Sequence, residues 1–210
     1  MQQIHVIKKD GSKVPLDINQ LKMELITASE GLPAQIEKVA QIIAEVQMTI
    51  FDGIKQDELD QTVIQVALQN IKDDPDYDKI AARLLLKTIY QDILGDYKTP
   101  NELKKLHASA FPKFIKSAVK DGLLALEMND GRFDLKKLGA ALDPSKDDLS
   151  KYLGVITNRN RYALRKQSSQ PLETPQFTHM RIAMGLSYNE KDPTAAAIEF
   201  YEHMSNLDYI

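Results

Sequence analysis

Apolar side chains recur at intervals of three and four residues through most of this chain, and glycine, proline or aspartate pairs interrupt the pattern at short intervals. This spacing places apolar side chains on one face of an α-helix. Between residues 17 and 95 it predicts four amphipathic helices with short connections, the pattern of a small helical bundle. The expected buried faces are, in order, Ile18, Leu21, Leu25, Ala28 and Leu32; Ile36, Val39, Ala40, Ile43, Val46 and Ile50; Leu59, Val63, Val66 and Ile71; and Ile80, Ala81, Leu84, Leu85, Ile89 and Ile93.

The residues before this bundle follow a different pattern. Ile4 and Val6, and then Val14 and Leu16, alternate with other residues on either side of the segment 9–12, which contains Asp10-Gly11. An Asp-Gly pair between two alternating runs predicts a β-hairpin. Asp17, which follows, is a residue type that caps helix N-termini. We therefore expect a hairpin over one end of the bundle.

Beyond residue 95 the pattern predicts further helices. One spans 102–119, with a solvated face that carries Lys104, Lys105, Lys113, Lys116 and Lys120. Residues 132–135 suggest a short extended piece, and 144–148 a polar turn before a short helix. Thr174-Pro175 and Asp192-Pro193 each combine a capping residue with proline at the first helical position, and 206–210 suggest the approach to another strand. We expect three parts, at 1–95, 96–161 and 162–210.

Composition excludes several classes of function. A formal net charge of −3 gives no electrostatic support for nucleic-acid binding, and no apolar run approaches the ~18 residues of a membrane span. The chain has no cysteine, which excludes disulfides, thiolate zinc sites and thiol catalysis within it. No pair of its four histidines has metal-ligand spacing. We expect a cytoplasmic protein without nucleic-acid or membrane partners, metal ligands or catalytic residues.

Several short segments, taken together and in order, resemble a known nucleotide-binding domain. Residues 1–95 are similar to the ATP-cone, through Val6-Ile7-Lys8-Lys9-Asp10-Gly11, Leu16-Asp17, Glu30-Gly31-Leu32, Phe51-Asp52-Gly53-Ile54, Asp76-Tyr77 and Ala81-Ala82-Arg83-Leu84. The later part resembles the entry into the catalytic domain of the large (alpha) subunit of aerobic, class I ribonucleotide reductase, through Asn158-Arg159, Tyr162, Glu173-Thr174-Pro175-Gln176-Phe177, Met180-Arg181-Ile182-Ala183 and Phe200-Tyr201. The implied fold is mainly α: a small helical bundle capped by a β-hairpin or short sheet, then a helical region leading into an incomplete reductase barrel domain.

The resemblance implies allosteric control of overall activity. ATP, bound with Mg²⁺, keeps such a reductase active, and dATP inhibits it by changing how the subunits assemble. The implied partners are the rest of the alpha subunit, from the same gene or a split chain, and a radical-generating beta subunit, in an effector-dependent oligomer. The parent enzyme reduces ribonucleoside diphosphates with cysteines that lie further along the family's sequence, so we expect this chain alone to be inactive.

Three other interpretations remain. A repressor family also uses an ATP-cone, but it adds a zinc ribbon of cysteines that this chain lacks. The segment 173–183 argues against an anaerobic, glycyl-radical reductase. A stand-alone ATP-cone or helical interaction module, with vestigial or no nucleotide binding, also fits the helical pattern.

The resemblance places the nucleotide at the hairpin and the nearby helix starts. Adjacent strand lysines point to opposite faces, so one of Lys8 and Lys9 is expected to reach the phosphates and the other to flank the site. Asp17 would cap its helix or accept from the base, and a helix N-terminus favours anions. The expected site residues are Lys8, Lys9, Val14, Leu16, Asp17, Ile18, Leu21, Lys55, Gln56 and Lys87.

The alternative is that the lysines are solvated and the apolar residues only pack in the core. The family often has glutamate near Val14, threonine at Gln56, histidine near Asp60 and lysine near Gln91. These departures leave two possibilities, a site with altered contacts or one that has lost affinity.

Overall fold

The computed structural model of the chain describes residues 4–166 and 170–208. These residues form nine α-helices and three short β-strands, so the prediction of a mainly helical fold with a small sheet is confirmed. The contacts divide the chain into two compact units, residues 1–88 and 89–210. Within the described ranges, every helix is too short or too polar to cross a lipid bilayer.

The elements of the first unit, in chain order, are β1 (His5–Ile7), β2 (Lys13–Pro15), α1 (Ile18–Ala28), α2 (Gln35–Thr49), β3 (Ile54–Lys55), α3 (Gln56–Gln69) and the first part of α4 (Asp76–Leu94). The second unit continues with α5 (Pro100–Lys120), α6 (Leu135–Ala141), α7 (Tyr152–Thr157), α8 (Pro175–Ser187) and α9 (Pro193–Ser205). Short 3₁₀ segments lie at Asn70–Lys72, Leu126–Asn129 and Pro144–Leu149, and a π-helical turn at Asn158–Tyr162.

The sheet has the strand order β2-β1-β3. β1 and β2 form the predicted antiparallel hairpin, in which Val6 pairs with Val14. Gly11 adopts a φ of 84° in the turn between them, a conformation that glycine reaches without steric cost. β3 was not predicted; it pairs parallel to β1, with Val6 opposite Ile54, and adds an edge beside the start of α3.

The four predicted helices of the first unit are present, but the expected buried face of α2 was partly wrong. Ile36 is 78% exposed, whereas Lys38 is 3% exposed. The Lys38 ammonium contacts the carboxylates of Asp74 at 2.7 Å and Asp76 at 3.3 Å, and it donates to the Pro33 carbonyl at 2.7 Å. These partners stabilise a buried charge that a count of apolar spacing does not anticipate.

The second unit packs α5, α6, α8 and α9 around a core that includes Phe111, Leu138, Phe177, Met184 and Tyr201. The helix starts at Thr174 and Asp192 are confirmed, since both side chains accept from the first turn of their helices. The five lysines expected on the solvated face of the 102–119 helix are all exposed on α5. A 3₁₀ segment and then α7 follow Asp143, as expected for 144–148.

The short extended piece expected at 132–135 is wrong. Asp134 caps α6 by accepting from the backbone N–H groups of Lys136 and Lys137, and Leu135 is the first residue of that helix. At the C-terminus, residues 206–207 form a turn after α9. The approach to a strand was expected at 206–210, and residues 209 and 210 of that range lie outside the described residues.

A close contact joins α5 and α6. Pro112 lies inside α5 and has no N–H to donate to the carbonyl of Ala108, four residues earlier. Gly139 of α6 lies against this carbonyl: a Cβ at position 139 would stand 2.5 Å from the Ala108 oxygen. The missing side chain therefore allows α6 to approach α5 at the point where the ladder of hydrogen bonds is interrupted.

Candidate functional site

The first unit contains a cleft between the sheet, the start of α1 and the start of α3. Its cavity volume is ≈ 120 Å³, which lies below the roughly 300–1,000 Å³ typical of small-molecule sites, and the cleft is open to solvent on one side. Twelve residues line it: Val6, Lys8, Val14, Pro15, Leu16, Asp17, Gln20, Leu21, Glu24, Gln56, Leu59 and Asp60.

The local folds of the three elements explain which side chains face the cleft. Val6 and Lys8 are two residues apart along the first strand and its extension, so they share a face, and Lys9 points elsewhere. The Lys9 ammonium lies 3.6 Å from the Asp57 carboxylate. On α3, Gln56, Leu59 and Asp60 have the i, i+3, i+4 spacing of one helical face.

A hydrogen-bonded relay crosses the cleft wall from the strand to the helix. The Lys8 ammonium donates to Oε1 of Gln56 at 2.7 Å, and Nε2 of Gln56 donates to Oδ1 of Asp60 at 2.7 Å. Burial raises the pKa of Asp60, and the bond from Gln56 opposes that effect. The relay therefore connects the cation of the cleft to a partly desolvated carboxylate.

Two further carboxylates line the cleft from α1. Asp17 caps the helix, and its Oδ1 accepts from the backbone N–H groups of Asn19 at 2.9 Å and Gln20 at 3.0 Å. Glu24 forms an ion pair with Lys87 of α4 at 2.7 Å, and both side chains are about 30% exposed. The cleft thus offers one cation and three carboxylates beside apolar walls from Val6, Leu16, Leu21 and Leu59.

Of the residues predicted for the site, the structure brings six to the cleft: Lys8, Val14, Leu16, Asp17, Leu21 and Gln56. Lys9, Ile18 and Lys55 do not line it. Lys87 does not line it either, but it reaches its edge through the ion pair with Glu24. Lys9 lies in the hairpin turn and not on the strand, and the two lysines contact adjacent residues of α3, Lys8 contacting Gln56 and Lys9 contacting Asp57.

Sequence reasoning missed six lining residues: Val6, Pro15, Gln20, Glu24, Leu59 and Asp60. Helical spacing could have found four of them. Gln20 directly precedes Leu21, and Glu24 lies three residues after it. Leu59 and Asp60 lie three and four residues after Gln56. Val6 could have been found from strand alternation, because it lies two residues before Lys8 and therefore on the same strand face.

The described residues contain no group of three or more histidine, aspartate or glutamate side chains arranged to hold a metal ion. The carboxylates of the cleft already have partners, since Glu24 pairs with Lys87 and Asp60 accepts from Gln56. The donor set therefore does not fit a magnesium cage built from protein side chains. A nucleotide that carries Mg²⁺ would bring the ion on its own phosphates.

Two family models match the chain in succession. The ATP cone domain matches residues 4–92, which include every residue of the cleft. The ribonucleotide reductase all-alpha domain matches residues 149–210, which begin just before α7 and include α8 and α9.

Proteins named as alpha subunits of ribonucleoside-diphosphate reductase are similar to nearly the whole chain. The chain is 34% identical to the ribonucleoside-diphosphate reductase subunit alpha of Chlamydia trachomatis, over 99% of this chain and 20% of the relative. It is 31% identical to the subunit of the same name from Helicobacter pylori, over 98% of this chain and 25% of the relative. The chain is 24% identical to ribonucleoside-diphosphate reductase 1 subunit alpha of Escherichia coli, over 98% of this chain and 26% of the relative. The chain spans about a fifth to a quarter of these relatives.

Proposed function

We propose that this chain, which carries the ATP-cone and the all-alpha domain of the ribonucleotide reductase alpha-subunit family, is the effector-binding, regulatory N-terminal part of such a subunit. The observation that supports this most directly is the cleft of the first unit. It combines apolar walls, a cation at the strand edge and the N-terminal ends of two helices within the matched ATP-cone.

The effector we propose is ATP or dATP, bound as its Mg²⁺ complex. Leu16 and Leu21 would enclose the base. Asp17 would accept from a base amino group or a ribose hydroxyl with the oxygen that does not cap α1. Lys8 would exchange its bond to Gln56 for a phosphate oxygen, since ammonium groups form stronger hydrogen bonds with ionised acceptors than with neutral ones.

The proposal extends to the whole protein. The parent subunit would convert ribonucleoside diphosphates to deoxyribonucleotides in the cytoplasm, together with a radical-generating beta subunit and in an oligomer whose state depends on the effector. Since the chain has no cysteine, it would require the rest of the alpha subunit to supply thiols for the reaction. Alone, it would show no ribonucleotide reduction.

One observation favours a second candidate, an ATP-cone that has lost its nucleotide. Asp17, Glu24 and Asp60 face the same cleft as Lys8, and carboxylates repel phosphate groups at short range. In that case the first unit would serve only as a folded interaction module of the subunit.

Calorimetry with ATP and dATP in excess Mg²⁺ separates the two candidates. Regulatory binding predicts a dissociation constant below the millimolar range for at least one nucleotide. Lys8→Met should weaken it by about tenfold, the cost of one charge-assisted hydrogen bond. Lys9→Met is the matched control, because it removes the same charge one residue away, outside the cleft.

Equal binding by the Lys8→Met and wild-type proteins would contradict the assigned role of Lys8. Failure of both nucleotides to bind below the millimolar range would contradict effector binding altogether.

A further inference from the structure

We propose that Asp60 makes the cleft sensitive to ligand charge, so that a polyphosphate binds together with one proton. The inference rests on the proposed nucleotide function and adds a specificity-determining residue to it. The structural basis is the position of the Asp60 carboxylate in the cleft wall and its bond to the amide that also holds Lys8.

Gln56 holds the Lys8 side chain in place. In the structure the Lys8 ammonium is bound to a neutral amide oxygen, and the same amide uses its N–H group on Asp60. Gln56 is therefore oriented by Asp60 to accept from Lys8. A phosphate that binds Lys8 must take the place of this acceptor or share the ammonium with it.

The polar and charged groups that face Asp60 come from three helices. Its own helix contributes Gln56, which donates to it, and Asp57; α1 contributes Glu24, and α4 contributes Lys87. Lys8 acts from the strand through Gln56, and the Lys87 charge is shared with Glu24 at 2.7 Å. Burial is the main cause that raises the pKa of this carboxyl group, with the neighbouring carboxylates adding to it.

A polyphosphate on Lys8 adds negative charge to the cleft that Asp60 already lines, and like charges disfavour the ionised form of a carboxyl group. Binding therefore raises the pKa of Asp60 further, and the protein takes up a proton. By linkage, the affinity must increase as the pH falls, and this gain in affinity is lost as the pH rises through the pKa of Asp60 in the complex.

Protonation also supplies a donor. The neutral carboxyl group of Asp60 carries an O–H that can point to Gln56 or to a phosphate oxygen. An asparagine at this position has the same shape, cannot ionise and carries an N–H donor. Asp60→Asn thus imitates the protonated state at every pH.

The test is calorimetry of the whole chain with ATP in excess Mg²⁺, between about pH 5 and pH 8. We expect the wild-type affinity to increase as the pH falls, by at most about tenfold per pH unit for one linked proton. Asp60→Asn should bind with little dependence on pH and, at the upper end of the range, about fivefold or more tightly than wild type. Glu37→Gln, which removes a carboxylate at an exposed position of α2 outside the cleft, is the matched control and should follow wild type.

A second measurement requires no variant. Titration of the wild-type chain in buffers with different enthalpies of ionisation reports the number of protons taken up per ATP, and Asp60→Asn provides the baseline for the nucleotide itself. Proton uptake on ATP binding by wild type that is absent from Asp60→Asn supports the proposal. Binding of ATP by Asp60→Asn at a pH where wild type fails to bind also supports it.

ATP binding by wild type with the same pH profile as Asp60→Asn overturns the role of Asp60 and leaves the nucleotide site intact. Absence of binding by both proteins at every pH overturns the nucleotide site itself, so the two failures are distinguishable.

Discussion

The buried carboxyl group of Asp147 should make the second unit less stable as the pH rises. A carboxylate in an ordinary ion pair has the opposite effect. The Asp147 side chain is buried, with 3% exposure, and its two hydrogen-bond donors are neutral: the Tyr90 hydroxyl and, at 2.7 Å, the Gln176 amide. Burial raises its pKa from 3.8 to about 7. The folded protein therefore holds a proton on Asp147 at a pH where the unfolded chain does not.

The sign and size follow from linkage. Because the folded pKa is the higher one, the stabilisation is complete below pH 3.8, decreases by about 1.4 kcal/mol per pH unit above it, and is lost once the pH exceeds about 7. The total is about 4 kcal/mol. Between pH 5 and pH 8 the wild-type free energy of unfolding should therefore fall by about 3 kcal/mol relative to Asp147→Asn, which cannot ionise.

The assay is urea denaturation followed by far-ultraviolet circular dichroism, since the chain has no tryptophan. The quantity to compare is the difference in the free energy of unfolding between wild type and Asp147→Asn at each pH. Asp121→Asn, which removes the same charge at an exposed position of the second unit, controls for net charge. A constant difference between wild type and Asp147→Asn across the range would refute the reasoning.

Two other substitutions test packing in the second unit. Gly139→Ala should destabilise the protein by about 1–3 kcal/mol, because the new Cβ would lie 2.5 Å from the Ala108 carbonyl oxygen; an unchanged denaturation midpoint would contradict the close contact. Arg181→Ala should cost about 3 kcal/mol, because it leaves the fully buried Glu173 without the guanidinium that binds it at 2.6 Å. Adding Glu173→Gln should recover part of that loss in the same denaturation assay, and a purely additive double variant would show that the ion pair contributes nothing.

Periodicity and capping residues made most of the fold predictable from sequence. The Asp-Gly turn identified the hairpin, and Thr174-Pro175 and Asp192-Pro193 marked helix starts, because these signals are local. β3 was missed since it is short and depends on a parallel partner distant in sequence. The exposure of Ile36 and the burial of Lys38 also depend on distant partners, Asp74 and Asp76.

The candidate site was predictable to a similar extent and for similar reasons. The resemblance indicated the hairpin and the two helix starts. Strand alternation does not explain why Lys8 lines the cleft and Lys9 does not, because Lys9 lies in the hairpin turn. Glu24 and Asp60 were missed although helical spacing from Leu21 and Gln56 places them on the same helix faces. Their role depends on the relay through Gln56 and the ion pair with Lys87, which only three-dimensional structure reveals.

The central claim is that the cleft between the hairpin and the starts of α1 and α3 holds an adenine nucleotide. The most direct measurement is a crystal structure of this chain grown with dATP and Mg²⁺. We expect density for the base against Leu16 and Leu21 and for phosphate within hydrogen-bonding distance of the Lys8 ammonium. Solvent alone in the cleft, or a nucleotide bound elsewhere on the chain, would contradict it.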